Sequence, residues 1–269
     1  MVGAMNAPSP SADGRDSEAR WFGYSRVEPA EKAPLVRGVF SRVATRYDLM
    51  NDLMSGGIHR LWKAELVRMM QPRPGLRLLD VAGGTGDVAT RFLEAAGTGT
   101  DEAGRSAAAV ICDVSPAMLA VGRDRAIDGG RITGLDFVVG DAERLPVADR
   151  SMDLYTIAFG LRNVTHIDAA LAEARRVLRP GGRFFCLEFS RVVLGPLRRL
   201  YDAYSFAVIP RLGQVVARDR ASYQYLVESI RRFPPQPELA QRMAAAGLGR
   251  PHWRNLSGGI AAIHTAWRT

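Results

Sequence analysis

The hydrophobic positions of the chain follow two alternating patterns over residues 77–188. Short apolar runs of strand length are "RLLDVAG", "AAVICDV", "LDFVVGD", "MDLYTIAF" and "GGRFFCLEF". Between them lie stretches with helical periodicity, such as "GDVATRFLEAA", "SPAMLAVGRDRA" and "HIDAALAEARRVLRP". Apolar strands that alternate with helices are typical of βαβ units, whose parallel sheet is buried on both faces. The pattern therefore predicts an α/β fold with a doubly wound, mostly parallel sheet.

The C-terminal residues add a helix, "PELAQRMAAAGL", and two strand candidates, "GRPHWRNL" and "GGIAAIHTAWR". The short turn "SGG" between the two candidates indicates a hairpin, so the final strand is expected to run antiparallel to the sheet. The prediction is thus one Rossmann-like domain over residues 32–269, preceded by a flexible leader over residues 1–31.

Two segments fall outside the alternation of strands and helices. One is a helical N-terminal cap over residues 35–70, and the other is an insertion over residues 190–237 that is rich in Tyr, Arg and Leu. An open α/β sheet binds its ligands outside the carboxyl ends of its strands, where such insertions lie. Both segments are therefore expected to be lids over a ligand site.

Composition and charge add three constraints to this picture. No run approaches the roughly 18 consecutive apolar residues of a membrane span, and the first residues lack the apolar core of a secretory signal, so a cytoplasmic protein is expected. Cys112 and Cys186 each lie in an apolar run, which predicts buried thiols rather than a disulfide. The net charge of +8 favours an acidic partner, either nucleic acid or an anionic membrane surface, or reflects an arginine-rich proteome with no partner implied.

The stretch "LLDVAGGTGD" runs from a strand into a glycine-rich turn. Read loosely, "GTGDVA" matches the dinucleotide fingerprint G-x-G-x-x-[GA], but the carboxylates of Asp80 and Asp87 beside the turn would repel a pyrophosphate. Asp113 and Asp141 follow the next two strands, so that Asp80, Asp113 and Asp141 are expected to converge on one crevice. Taken singly, each is better explained as a helix N-cap or a turn residue. Together they favour S-adenosylmethionine, which carries cationic groups and no phosphate.

Two of these carboxylates have a predicted contact with that cofactor. Asp113 is placed to accept both ribose hydroxyls, although dinucleotide sites use the same geometry. Asp141 is placed to accept the adenine amino group, with the amide of Ala142 as a donor beside it.

The order of "LLDVAGGTGD", "CDVSPAML", "GDAERLP" and "RVLRPGGRF" resembles the class I S-adenosylmethionine-dependent methyltransferases. More narrowly, "VFSRVATRYDLMNDLMSGGIHRLWK", "FGLRNV", "YDAYSFAVIPRLG", "SYQYLVESI" and "NLSGGIAAIH" resemble the ubiquinone/menaquinone biosynthesis C-methyltransferase family. This similarity covers nearly all residues from Val39 to the C-terminus. It implies S-adenosylmethionine-dependent C-methylation of a polyprenylated benzoquinol in ubiquinone synthesis. Bacterial members of the family also methylate demethylmenaquinol.

Carried over by position, the resemblance implies that Thr85, Asp113, Asp141 and Ala142 contact the cofactor. Where the family commonly has serine this chain has Ala158, which is expected to contact the cofactor only through its backbone. Residues expected at the cofactor are Tyr47, Asp80, Gly83, Gly84, Thr85, Gly86, Asp113, Val114, Met118, Asp141, Ala142 and Ala158. Residues expected at the acceptor are Met54, Phe159, Tyr201 and Tyr204.

Methyl transfer to a quinol carbon requires two positioned reactants, stabilisation of a phenolate-like oxygen and a proton acceptor. Arg162 is expected to stabilise the oxygen, and Asn163 to orient a water or hold the other quinol oxygen. The alternative for Arg162 is an ion pair with a nearby acid, and for Asn163 a helix N-cap. His59 and His166 are interpreted as structural hydrogen-bonding residues. No metal site is expected, because no Cys/His cluster has ligand spacing.

The sequence also leads to expectations about binding partners and leaves several alternative functions open. A polyprenyl tail requires an apolar groove, which is expected in the 190–237 insertion. The arginines of this insertion favour peripheral association with the inner face of the cytoplasmic membrane. Contacts with a quinone-biosynthesis complex, and a homodimer among the oligomeric states left open, are further expectations. The rivals are a methyltransferase for another small hydrophobic acceptor, a nicotinamide-dependent oxidoreductase, a nucleic-acid methyltransferase and a non-catalytic scaffold. No nucleic-acid partner is expected, because the chain has neither an "NPPY"-type motif nor a separate basic domain.

Overall fold

The computed structural model describes residues 21–43, 52, 55–131, 133–193 and 220–269. Its strands are β1 (Trp21–Phe22), β2 (Ser25–Arg26), β3 (Arg77–Val81), β4 (Ala108–Asp113), β5 (Leu135–Val139), β6 (Met152–Ala158), β7 (Leu178–Phe189), β8 (Leu248–Leu256) and β9 (Ala261–Arg268). Its helices are α1 (Pro29–Val43), α2 (His59–Met70), α3 (Asp87–Ala96), α4 (Pro116–Asp128), α5 (Ile167–Val177), α6 (Arg220–Arg232) and α7 (Gln236–Ala245). The expected site residues Tyr47, Met54, Tyr201 and Tyr204 lie outside the described residues.

The central sheet has seven strands in the order β5-β4-β3-β6-β7-β9-β8. Strands β3 to β7 all run parallel to one another, whereas β9 runs antiparallel to both β7 and β8. The predicted mostly parallel sheet with an antiparallel final strand is thus confirmed. The chain order reverses between the adjacent strands β3 and β6, and such a switch point is where an open α/β sheet forms its ligand crevice.

Two hydrophobic clusters cover the two faces of the sheet. Successive residues of a strand point to opposite faces, and the fully buried Leu78 and Leu79 of β3 accordingly belong to different clusters. One cluster packs α2 and α3 on the sheet through residues such as Leu66 and Phe92, and the other packs α5 through Leu171. A sheet covered on both faces accounts for the continuous apolar runs in its strand sequences.

The helices between the strands begin where local signals predict. Helix α4 has Ser115 as its N-cap, whose Oγ accepts from the backbone N–H of Met118 at 3.4 Å, and Pro116 occupies its first turn. One boundary differs from the prediction. The helical stretch "HIDAALAEARRVLRP" ends at Val177, and its last residues already belong to the longer strand β7.

The expected leader extends too far along the chain. Strands β1 and β2 form a hairpin directly before α1, and the ring of Phe22 stacks on that of Tyr225 in α6 with the centroids 4.1 Å apart. The domain therefore includes residues 21–31. None of the described helices is long and apolar enough to span a membrane.

Candidate functional site

A cavity of about 260 Å³ lies at the switch point, at the carboxyl ends of β3, β4 and β6. Helix α1 contributes Ala33, Val36 and Arg37 to its wall. Eight of the predicted site residues line this cavity: Gly84, Asp113, Val114, Met118, Asp141, Ala142, Phe159 and Asn163. The structure thus brings together residues from four separate stretches of the chain.

Asp113 ends β4 and anchors the glycine turn. Its Oδ2 accepts from the backbone N–H of Gly84 at 2.9 Å, and its Oδ1 accepts from that of Ser115 at 2.9 Å. Burial raises the pKa of this carboxyl, and the two backbone donors oppose the rise. A carboxylate oxygen accepts more than one hydrogen bond, so Asp113 can accept from two hydroxyls in the cavity while it holds the turn.

The predicted adenine contacts lie further along the same wall. Asp141 is exposed, and its Oδ1 accepts from the backbone N–H of Glu143 at 2.9 Å, whereas Ala142 is buried. Met118 and Val114 add apolar surface to the cavity. This combination of apolar walls and acidic rims suits a flat heterocycle joined to a ribose.

The backbone at the strand ends that border the cavity adopts uncommon conformations and is closely packed. Ala82, after β3, has φ 49°, and Phe159, after β6, has φ 58°, which is uncommon for residues other than glycine. The two strand ends also approach closely at Gly160, where an added Cβ would lie 2.4 Å from the Cβ of Ala82. Sparsely populated backbone conformations of this kind cluster at functional sites.

Asp80 lies beneath the cavity rather than on its wall. Its Oδ1 accepts from the hydroxyl of Thr156 at 2.8 Å, and its buried Oδ2 has no partner among the described residues. Burial raises the pKa of this carboxyl to about 7. The predicted convergence of three carboxylates on the crevice is therefore corrected, since only Asp113 and Asp141 border it.

Four other predicted cofactor residues also lie off the cavity wall. Gly83 and Gly86 belong to the glycine turn and Ala158 is the last residue of β6, and none of the three lines the cavity. The side chain of Thr85 lines a second, polar cavity of about 350 Å³ between α2, α3 and α4, where Nη1 of Arg125 lies 3.5 Å from its hydroxyl. Thr85 is expected at the cofactor, and in the structure its side chain lines this second cavity and not the crevice.

Arg162 forms an ion pair with a nearby acid, which was the alternative to its expected role at the acceptor. Its Nη1 lies 2.8 Å from Oε2 of Glu188 and donates to the carbonyl of Phe159 at 2.6 Å. The guanidinium is fully buried and does not line the crevice. In this structure Arg162 is therefore not placed to make the expected contact with the acceptor. Burial raises the pKa of Glu188, and the positive charge of Arg162 opposes that rise.

Asn163 does line the crevice. It belongs to a 3-10 turn over Leu161–Asn163 and not to the N-cap of α5, which is His166. Its amide oxygen accepts from the hydroxyl of Tyr225 at 2.9 Å, and its Nδ2 lies 3.5 Å from the carbonyl of Phe159. Of the two predicted catalytic residues, Asn163 is thus the one that faces the cavity.

The histidines and cysteines take structural positions. His59 contacts the hydroxyl of Ser55 at 3.0 Å, and His166 contacts Oε2 of Glu143 at 2.8 Å. Burial lowers the pKa of His59. Both cysteines are buried thiols, as predicted.

Sequence reasoning missed Glu188 and Tyr225, which hold the two predicted catalytic residues. Glu188 is the penultimate residue of the strand "FFCLEF", and a lone acid within an apolar strand is a signal that a buried cation lies beside it. Tyr225 gave no comparable signal, because one aromatic residue in a helical stretch is typical of a core position.

Comparisons with known proteins give one consistent result. Residues 27–268 match the model of the ubiE/COQ5 methyltransferase family. The "Ubiquinone/menaquinone biosynthesis C-methyltransferase UbiE" of Paracoccus denitrificans is 57% identical over 92% of this chain and 96% of its own length. The "2-methoxy-6-polyprenyl-1,4-benzoquinol methylase, mitochondrial" of Danio rerio is 50% identical over 99% of this chain and 89% of its own.

A solved structure of similar fold is a SAM-dependent methyltransferase from Aquifex aeolicus, with a TM-score of 0.55 and 14% identity over 77% of this chain and 89% of that one. This likeness supports the Rossmann-like architecture alone, since the sequences are so distant. The family model and the two close relatives together cover the hairpin, the glycine turn, the crevice and the antiparallel strands. The chain belongs to the ubiE/COQ5 methyltransferase family.

Proposed function

We propose that this protein transfers the methyl group of S-adenosylmethionine to a ring carbon of a polyprenylated benzoquinol, so that the methyl–sulfur bond breaks, a carbon–carbon bond forms and the ring carbon releases its proton to solvent. The observation that carries the proposal is a single cavity that Asp113 borders at β4 and Asn163 borders beyond β6. A cofactor held by Asp113 would therefore share one space with an acceptor held by Asn163. The names of relatives at 50–57% identity support this acceptor and the naphthoquinol as a second one.

The residues of the cavity suit S-adenosylmethionine. The acidic pair Asp113 and Asp141 suits a ribose and an adenine amino group, and it opposes the pyrophosphate that a nicotinamide dinucleotide would bring. Gly84 leaves room in the turn, since an added Cβ would lie 2.9 Å from Cε of Met118. When bound, the cofactor supplies an electrophilic methyl group on its sulfonium.

The protein's own residues have three tasks in this reaction. Asp113 holds the glycine turn and orients the ribose, and apolar walls such as Val114 and Met118 exclude water. Asn163 presents amide N–H groups to an oxygen of the quinol, which turns a ring carbon towards the cofactor end of the cavity. Phe159 packs beside it against Phe189 and Trp62, so the acceptor end of the cavity has a rigid apolar wall.

The decisive experiment is a methyl-transfer assay with the purified protein. Labelled S-adenosylmethionine is incubated with reduced benzoquinol and naphthoquinol extracts, and the products are identified by mass spectrometry. We expect label in a lipid with one added ring methyl group. Calorimetry with NAD(H) runs beside it, and tight dinucleotide binding without any labelled quinol would overturn the proposal in favour of an oxidoreductase.

We further propose that the protein meets its lipid acceptor at an anionic membrane surface. Ile58 and Leu61, at the start of α2, expose 40% and 69% of their surface, and the exposed Arg60 lies between them. Apolar side chains beside a cation are typical of interfacial helices. Vesicles of anionic lipid at low salt are expected to sediment the wild-type protein and to retain less of a Leu61→Glu variant. Equal sedimentation with neutral vesicles, or none with either, contradicts this proposal.

A further inference from the structure

The hydroxyl of Tyr225 in α6 contacts a side chain of the crevice across 62 residues of chain. It donates to Oδ1 of Asn163 at 2.9 Å, and both side chains are buried. Burial raises the pKa of Tyr225, so its phenol keeps the proton that it donates. The contact is therefore a hydrogen bond with a defined donor, made behind the wall of the cavity.

This hydrogen bond determines which way the amide of Asn163 faces. Because Oδ1 accepts from Tyr225, the two N–H donors of the amide lie on the other side of the group. One of them meets the carbonyl of Phe159 at a long distance of 3.5 Å, and no other described residue accepts from Nδ2. A donor therefore remains for a ligand in the cavity that Asn163 lines.

Tyr225 is itself held from outside the crevice. The ring of Phe22 in β1 stacks on it at 4.1 Å and 15°. The hairpin that carries Phe22 is joined to α6, because the backbone N–H of Tyr24 donates to Oε2 of Glu228 at 2.9 Å and Arg232 lies 3.9 Å from the ring of Trp21. The N-terminal hairpin and α6 thus restrain the phenol that orients Asn163.

We propose that Tyr225 is a positioning residue for methyl transfer, which acts by turning the amide N–H of Asn163 towards the acceptor. The proposal rests on the proposed function, in which Asn163 contacts a quinol oxygen. Tyr225 itself does not line the crevice, so its effect passes through Asn163. Without the phenol, the amide can rotate and present its oxygen to the acceptor, which cannot then receive a hydrogen bond.

The kinetic test compares Tyr225→Phe with Tyr155→Phe. Tyr155 is a buried tyrosine of β6 that stacks on Phe184 in the core cluster on the other face of the sheet. Tyr155→Phe therefore removes the same hydroxyl group as Tyr225→Phe, but at a position away from the site. With a short-tailed 2-methoxy-6-prenyl-1,4-benzoquinol, we expect Tyr225→Phe to lower kcat about tenfold, with an unchanged affinity for S-adenosylmethionine. Tyr155→Phe is expected to retain the wild-type kcat.

A double-mutant cycle separates positioning from a general structural effect. In an Asn163→Ala background, Tyr225→Phe is expected to change kcat by less than about twofold, because residues that act through one contact are not additive. An equal loss in both backgrounds, or a wild-type kcat for Tyr225→Phe alone, would overturn the proposal.

A spectroscopic measurement tests the contact without turnover. The side-chain amide resonances of Asn163 are those that disappear from the ¹⁵N spectrum of Asn163→Ala. They are expected to move in Tyr225→Phe and to stay in place in Tyr155→Phe. If these resonances do not move in Tyr225→Phe, the proposal for Tyr225 is wrong. If the wild-type protein methylates no quinol, the proposed function is wrong, but the resonance shifts still report whether Tyr225 contacts Asn163.

Discussion

Arg162 and Glu188 form an ion pair in which neither side chain reaches solvent, with 2.8 Å between Nη1 and Oε2. The pair joins the end of β7 to the turn after β6. Nη1 also donates to the carbonyl of Phe159, a residue with positive φ that borders the crevice. The cation therefore supports the geometry of the crevice from behind.

Replacing Arg162 is expected to destabilise the fold. Arg162→Ala leaves Glu188 as an uncompensated buried charge, and breaking such a pair costs about 3–5 kcal/mol of unfolding free energy. Urea denaturation measures the change. Methylation should also fall, because the turn that holds Phe159 and Asn163 loses its support.

Two further variants serve as controls for the effect of Arg162→Ala on stability. Arg105→Ala breaks an exposed ion pair with Asp101 and should leave the urea midpoint unchanged. Arg162→Met combined with Glu188→Leu removes both buried charges and should recover most of the lost stability. A stable Arg162→Ala with wild-type midpoint would contradict the buried pair.

Asp113→Asn is expected to weaken cofactor binding. The amide keeps one acceptor oxygen in place of two, so it cannot hold Gly84 and Ser115 and also meet two hydroxyls. Loss of charge-assisted hydrogen bonds should raise the Kd for S-adenosylmethionine about 10- to 100-fold, as calorimetry can measure. Asp136→Asn, on the exposed side of β5, serves as the control. Equal affinities for the two variants would exclude Asp113 from the cofactor site.

Gly160→Ala is expected to force β3 and β6 apart at the crevice. The new Cβ would lie 2.4 Å from that of Ala82, and the contact is between backbone-attached atoms that cannot rotate away. Overpacking of this kind costs about 1–3 kcal/mol, which thermal denaturation would detect together with weaker cofactor binding. At Gly99 an added Cβ would meet Pro74 at an ordinary 3.6 Å, so Gly99→Ala should behave as wild type.

Asp80 is expected to make stability depend on pH. Its pKa in the folded protein is about 7, above the ordinary value of 3.8. Below about pH 3 the carboxyl is protonated in both states. As pH rises towards 7, the unfolded chain loses this proton while the folded protein retains it, so the free energy of unfolding falls and then levels off above pH 7.

Asp80→Asn isolates this contribution. The amide has a similar shape and no charge, so the variant should be more stable than wild type at pH 8, by an amount on the order of a few kcal/mol. The difference should shrink as pH falls and vanish below about pH 3. Chemical denaturation over that range, without cofactor, measures both limits, and a difference independent of pH would mean that Asp80 does not titrate as described.

Much of the fold and part of the site followed from local sequence patterns. The runs from "RLLDVAG" to "GGRFFCLEF" predicted the parallel strands, because strand and helix periodicities are local properties. The positions of Asp113, Asp141 and Ala142 followed as well, because the carboxyl ends of parallel strands meet at one edge. The structure adds the hairpin before α1, since a two-residue strand is too short to leave a periodic signal.

Tertiary packing decided the parts of the site that depend on distant residues. Arg162 could pair with an acid or face the acceptor, and only the arrival of Glu188 on the neighbouring strand β7 selected the pair. Thr85 lies in the predicted glycine turn, yet its side chain lines the second cavity, where Nη1 of Arg125 in α4 lies 3.5 Å from its hydroxyl. Asn163 meets Tyr225 because α6 packs against its turn. Local sequence patterns thus specified which elements form and which strand ends meet. Packing between segments far apart in the chain decided which side chains line the crevice, because burial and the choice of partner depend on those distant contacts.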